Sequence, residues 1–323
     1  MGTQKSTKTR LLMVATSLAV AAGVLAAPSA SHAAGSLYYL SLGDSYSVGY
    51  QPGIGATAGY TGVVAAAKGM TLENFGCGGA TTASILTFDD SYCGITDAIN
   101  NPLGYGPAAI TGNPATLGQT QAQAADAFIA AHQGQIGLIT VSISGNDVTG
   151  CALAASPITC IVGLLPVITT NVKALMSDLR GALGAAGKKV PIVGLTYPDV
   201  LLGDWVNAGG TPTFPPSVAS ENLAKLSVQA FQGIPGVFAG INPTLQAAYK
   251  TGKAKFVDVT KKTGAYQNLK KMTTITLAPL GSITVPKAVA EVCTLTYYCS
   301  LGNIHANTTG YNLIGSLINK VVK

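Results

Sequence analysis

The stretch LGDSYSVGY, residues 42–50, sets an acid and a serine in a tight turn directly after the apolar run Leu37–Leu42. In the plain reading, Asp44 or Ser45 caps a helix that follows, as such residues often do. In the chemical reading, the turn lifts the Ser45 hydroxyl to the edge of a sheet. Serine is a weak nucleophile at its own pKa and needs a base beside it. The chain holds three histidines, His32, His132 and His305. His32 falls in an N-terminal leader. His132, in AAHQGQ, ends a predicted helix, where an imidazole suits the negative end of the helix dipole. His305, in GNIHANTTGY just ahead of the last predicted helix, is left as the candidate base. A loop histidine that packs or caps is its plainer reading; a candidate nucleophile at the far end of the chain weighs against that.

Acyl transfer also needs donors aimed at the developing oxyanion. Two stretches supply them. In NFGCGGATT, Gly78 and Gly79 let the backbone approach a ligand closely. In SISGNDV, Gly145 turns the chain and Asn146 offers a side-chain NH₂. Taken singly, the first is a glycine turn beside a cysteine and the second an Asn/Asp helix cap. Rival motifs are missing. No G-x-S-x-G is present, against an ordinary α/β-hydrolase elbow. No G-x-G-x-x-G follows a strand and no P-loop lysine motif occurs, against nucleotide binding.

The elements that must position these residues alternate in period. Buried-strand runs are Leu37–Leu42, Thr71–Phe75, Ile136–Ile143, Val190–Thr196 and Lys255–Val259. Helical spacing marks Tyr60–Lys68, Gln119–His132, Pro166–Ala186, Ser217–Gln232, Thr244–Lys250 and Gly310–Val322. Such alternation predicts an α/β fold with a parallel sheet covered on both faces. Ligands then bind beyond the carboxyl ends of the strands, which is where Ser45, Gly79 and Asn146 fall. Three long Gly/Pro-rich connections stand out: Thr87–Leu117, Leu202–Pro216 and Met272–Gly302. The first two, with Trp205 and Phe214, are candidate walls for an acyl pocket, or else structural cover.

Lys5, Lys8 and Arg10 precede the apolar stretch Leu11–Ala27, and PSASHAA offers small residues for cleavage after Ala33. Residues 1–33 read as a secretory signal peptide, and 34–323 as one domain. No later segment reads as apolar for long enough to span a bilayer, so a soluble, secreted, extracellular protein is expected, without stable membrane insertion, working as a monomer. The chain's formal charge of +6 falls to +3 without the leader's three basic residues, and Arg180 is then the only arginine. Nucleic-acid binders show clustered arginine and a strongly basic face, so none is expected here. The seven lysines from Lys250 to Lys271 read as a solvated surface. Six cysteines, at 77, 93, 151, 160, 293 and 299, suit disulfides in an exported protein. Fifteen pairings are possible; the local set Cys77–Cys93, Cys151–Cys160 and Cys293–Cys299 is expected because each closes a short loop. Metal binding is the alternative, but no CxxC pair or paired histidines support it.

With four blocks in hand, GDSYSVGY, NFGCGGATT, SGNDV and NIHANTTGY, the chain resembles the SGNH or GDSL-type hydrolases, named for a Ser, Gly, Asn and His spread over four such blocks. The likeness runs from about Leu37 to the C-terminus, in the family's order. It implies a three-layer α/β/α, flavodoxin-like fold with a five-stranded parallel sheet. It implies Ser45 as nucleophile, His305 as base, and Gly79, Asn146 and the Ser45 amide as oxyanion donors, with Gly78 the fallback for Gly79. No cofactor or metal is implied. The six cysteines resemble those of secreted bacterial members. One departure matters: the family usually carries an Asp three residues before the histidine, and here that residue is Gly302, followed by Asn303. Some members make do with a main-chain carbonyl. The expectation is that the Gly302 carbonyl accepts from His305 Nδ1–H, leaving a Ser–His dyad whose loop is fixed by Cys293–Cys299; Glu291 is a less favoured partner. Asp44 is expected to stabilise the turn, not to react. The substrate expected is a small-molecule ester, with a lipid ester favoured because Trp205 is the only tryptophan and aromatic sugar platforms are scarce. A carbohydrate acetyl esterase is the rival within enzymes, and a secreted binding protein on a hydrolase scaffold the rival outside them.

Overall fold

The computed structural model describes residues 37–87, 120–267 and 269–323. Residues 1–36, which include the expected signal peptide, residues 88–117 of the first long connection, and Cys93 of the expected Cys77–Cys93 pair lie outside the described residues.

The five apolar runs form five strands: β1 (Tyr38–Gly43), β2 (Thr71–Asn74), β3 (Ile136–Ser142), β4 (Ile192–Leu195) and β5 (Lys255–Val257). They pair in parallel in the order β2-β1-β3-β4-β5. Among the described residues, the helices of nine residues or more are α1 (Gly59–Lys68), α2 (Gln121–Ala131), α3 (Pro157–Leu183), α4 (Val218–Gln232), α5 (Ile241–Thr251), α6 (Lys287–Leu295) and α7 (Thr308–Val321). Side chains alternate across a strand, so β1 and β3 feed two cores. Leu40, Leu42, Ile139 and Val141 pack with α2, α3 and α5. Tyr39 and Leu138 pack with α1 and α7. Burial on both faces is why these strands are largely apolar, each fully buried Leu or Ile contributing about 1.5–3 kcal/mol. The result is the expected three-layer α/β/α, flavodoxin-like sheet.

Three features differ from expectation. Helix α3 begins at Pro157, not Pro166. Proline is favoured in a first turn, and Pro157 takes that place, while Pro166 lies inside the helix on an exposed position. Among the described residues α3 is also long and apolar enough to cross a membrane, which corrects the reading that nothing beyond the leader would be. One face of it, with Ile161, Leu165, Ile168 and Val172, packs into the domain core. Third, the stretch Met272–Gly302 is not a plain connection. It folds as an antiparallel hairpin, β6 (Met272–Leu277) and β7 (Gly281–Pro286), and then α6. Each strand alternates over only six residues, too short a signal to separate from a loop. The hairpin covers a third cluster with Leu202, Trp205 and Val289. Cys151–Cys160 and Cys293–Cys299 are both bonded as expected.

Strand β1 lies between β2 and β3, with α1 on one face and α2 on the other. The chain therefore leaves β1 and β3 toward opposite faces and opens a crevice at their carboxyl ends. Gly43 closes β1 at φ +138°, and a Cβ there would lie 2.0 Å from the Ser142 carbonyl oxygen. The buried Gln121 amide clasps the same residue, its Oε1 accepting the Gly43 N–H at 2.9 Å and its Nε2–H donating to the Gly43 carbonyl at 2.9 Å. Gly43→Ala is expected to lower stability by at least ~2 kcal/mol through strain and overpacking. Urea unfolding measures this; an unchanged midpoint would contradict the close approach.

Candidate active site

Every residue from Tyr39 to Gly49 is buried except Ser45. The turn that singles it out is built on Asp44. The Asp44 N–H donates to the Ser142 carbonyl at 3.1 Å, and the Asp44 carbonyl accepts from the Ser47 N–H at 3.0 Å and the Ser47 hydroxyl at 2.6 Å. Its carboxylate accepts from the Tyr46 N–H at 3.0 Å and from the Tyr197 hydroxyl. Burial pushes this carboxyl up to about 7, against the pull of those donors. Asp44 thus holds the turn, as expected of it.

His305 reaches this turn from the segment between α6 and α7. Its Nε2 lies 2.8 Å from Ser45 Oγ, and its Nδ1 lies 2.8 Å from Asn303 Oδ1. The same Oδ1 accepts the His305 main-chain N–H at 3.1 Å, an Asx-type turn. A main-chain N–H can only donate, so the Asn303 atom facing it must be the oxygen. The ring Nδ1, facing that oxygen too, must then carry the proton. Nε2 is left with a lone pair toward the Ser45 hydroxyl. Asn303, not the Gly302 carbonyl or Glu291, therefore meets Nδ1, which corrects the expected acceptor. The signal was present as the Asn-x-His spacing, in which a side-chain amide accepts from the residue two ahead. Burial lowers His305 to about 4, so the ring is neutral at neutral pH.

The ring is also packed. Tyr46 stacks on it at 5.9 Å and Tyr50 lies tilted at 4.5 Å. The Tyr46 hydroxyl donates to the Ile304 carbonyl at 2.6 Å, and the His305 carbonyl accepts from the Tyr297 N–H at 3.0 Å. Cys293–Cys299 ties α6 to the short helix Tyr298–Leu301, just upstream of Asn303. Asn307 caps α7 by accepting the Gly310 N–H at 3.0 Å. His132 lies elsewhere, its Nδ1 2.9 Å from the Phe128 carbonyl at the end of α2.

The two glycine-bearing stretches meet each other near the exit of β1. The Cys77 N–H donates to the Gly43 carbonyl at 2.9 Å, bringing the NFGCGGATT turn to the exit of β1. Gly79 is exposed at φ +85°, whereas Gly78 is buried. Asn146 lines the same cleft as Ser45, and one of its two amide hydrogens goes to the Ala80 carbonyl at 2.8 Å. Asp147 accepts from the Thr82 N–H at 2.9 Å and the Thr82 hydroxyl at 2.6 Å, which locks the two turns together. Ser144, just before them, is held at φ +105°, a conformation that side chains resist and that clusters at functional sites. Among the described residues, no group of three or more His, Cys, Asp or Glu converges as a metal site would.

A cleft opens beside Ser45. Its walls are apolar: Ile158 and Ile161 from α3, Leu223, Leu226 and Phe231 from α4, with Val148 and Ile304. Of the two candidate wall segments, Leu202–Pro216 does not line the cleft, so its alternative reading as structural cover holds, and residues 88–117 lie outside the described residues. Trp205 is buried in the third cluster, and Phe214 is 37% exposed away from the cleft lining. The wall was missed because α3 starts nine residues earlier than the spacing suggested, and because the inner face of α4 is read equally well as core.

No protein-family model and no curated protein matches the sequence. Among solved structures the chain is similar to phospholipase A1 from Streptomyces albidoflavus NA297, at 16% identity and TM-score 0.45 over 88% of this chain and 99% of that one. It is similar to the extracellular lipase from Streptomyces rimosus with the same identity, TM-score and coverage. It is also similar to the lipase Lip_vut3 from a goat rumen metagenome, at 12% identity and TM-score 0.47, over 88% and 97% of the two chains.

An NMR titration checks the His305–Asn303 contact. His305 is expected to titrate near 4. In Asn303→Asp a carboxylate beside Nδ1 favours the charged ring, so its pKa is expected to rise by at least ~1 unit. A titration unmoved by that substitution would contradict the contact.

Proposed function

We propose that this chain is a secreted serine esterase of the SGNH or GDSL type that hydrolyses lipid esters. The observation that carries the reading is the 2.8 Å contact of Ser45 Oγ with a His305 Nε2 whose lone pair is fixed toward it. Ser45 attacks the ester carbonyl while His305 takes its proton. The Asn146 amide, the Gly79 N–H and the Ser45 N–H receive the oxyanion. His305 returns the proton to the departing alcohol, which leaves an acyl-enzyme on Ser45. Water, deprotonated by His305, then releases the acid. No step calls on a cofactor. A neutral Asn303 orients the imidazole but supplies no full charge to the imidazolium, so Ser–His–Asn describes the set better than a dyad.

The low pKa of His305 gives a sign for the pH dependence. The ring must be unprotonated to act, so kcat/KM is expected to rise with pH through about 4 and to be flat from about 5 upward. An unshifted histidine would place that rise near 6.5. The apolar cleft supports an acyl chain of some length over an acetyl group, and two disulfides support export to an oxidising compartment.

A fluorophosphonate probe is expected to label the wild type and not Ser45→Ala, and His305→Ala to lower kcat by at least ~10³-fold. Across nitrophenyl esters, the octanoate is expected to exceed the acetate in kcat/KM by at least ~10-fold. Best activity on acetate would favour a carbohydrate acetyl esterase; folded protein that takes no label would favour a binding protein.

A further inference from the structure

Helix α3 has two unlike outer faces. In its second half the exposed positions are ordinary, among them Lys173, Ser177 and Asp178. In its first half they are Thr159, Val162, Gly163, Pro166, Val167 and Thr170. Their spacing puts them on one side of the helix. Val162 is 39% and Val167 52% exposed, and Leu153, in the turn bound to α3 through Cys151–Cys160, is 94% exposed. No charged residue occurs between Asp147 and Lys173. A helix on a water-facing domain normally turns polar side chains outward, and a contiguous exposed apolar patch marks a contact surface.

The occupant is indicated by what the stripe borders. Ile158, which lines the cleft, and Val162, which lies in the stripe, are one helical turn apart on α3. Ala152, beside Leu153, also lines the cleft. A molecule meeting the stripe is thus already at the cleft wall. The lack of charge suits an uncharged apolar surface rather than anionic headgroups, which are drawn to lysine and arginine. We propose that the outer face of the first half of α3, with Leu153, is the surface by which this protein rests on a neutral lipid–water interface, and that acyl chains pass from there over Ile158 into the cleft. The inference rests on the esterase reading above. The opposite face of α3 is held in the domain core, so the helix lies on the interface and does not cross it.

The test separates docking from turnover. Full-chain Ser45→Ala protein is expected to sediment with phosphatidylcholine vesicles and with triolein droplets. Adding Val162→Asp and Val167→Asp is expected to cut the bound fraction by at least ~10-fold. In the otherwise wild-type chain the same pair is expected to lower the rate on emulsified triolein by a similar factor and leave dissolved nitrophenyl butyrate unaffected. Leu153→Asp, outside the helix, is expected to act in the same direction and serves if the double variant fails to fold. Equal binding by parent and variants would overturn the proposal. So would a parent that binds neither surface, including one in which the stripe proves to join two copies of the chain, seen as a dimer that Val162→Asp dissolves. Because binding is read without a nucleophile, loss of docking and loss of ester hydrolysis are distinguishable results.

Discussion

The His305 imidazole can serve Ser45 in one tautomer only, and a single oxygen selects it. Asn303 Oδ1 takes the main-chain N–H of His305 and the ring Nδ1–H together. Because the first donor is obligatory, the second cannot be replaced by an acceptor without setting two lone pairs face to face. The proton is therefore kept off Nε2 by the backbone geometry of three consecutive residues. A carboxylate would select the same tautomer and stabilise the imidazolium as well. The amide does the first and not the second, and burial lowers the ring to about 4. Such a base is unprotonated at any neutral pH but accepts a proton less readily than one tuned to 7.

The rest of the fold brings that imidazole to one hydroxyl. The order β2-β1-β3 opens the crevice, Gly43 and Gln121 fix where β1 ends, and Asp44 shapes the turn that leaves Ser45 alone at the surface. On the other side, Cys293–Cys299, Tyr46 and the cap of α7 fix the approach of His305. Local strain at Ser144 and the ties of Asn146 and Asp147 to residues 80 and 82 hold the second and third strand exits together. The distances that matter are thus set by side chains hydrogen-bonded to the main chain of neighbouring turns, and by one disulfide.

Much of this was legible in the residues. Largely apolar runs marked the inner strands β1, β3 and β4, which are covered on both faces, and punctuation by Gly, Asn and Ser marked their exits, whereas the edge strands β2 and β5 are shorter and less buried. Ser45 and His305 could be paired because two other histidines had plainer duties. What failed was whatever depended on local geometry or one-sided burial. Gly302 was favoured over Asn303 because the sequence does not state which oxygen a loop turns toward a ring. The hairpin Met272–Pro286 was hidden by its short alternation, and the start of α3 by a second proline that the helix tolerates. Trp205, readable in sequence as cleft wall or as structural cover, is cover, while the cleft is lined largely by Ile and Leu from helices whose inner faces look like any core.

The most direct measurement is mass spectrometry of the protein quenched in acid during the first turnover of a nitrophenyl ester. The expected result is one acyl group per chain, carried on the peptide containing Ser45, and none on Ser45→Ala. An acyl group on a different residue, or product formed at full rate with no acyl-enzyme at any quench time, would contradict the assignment of Ser45 and His305 as the reacting pair.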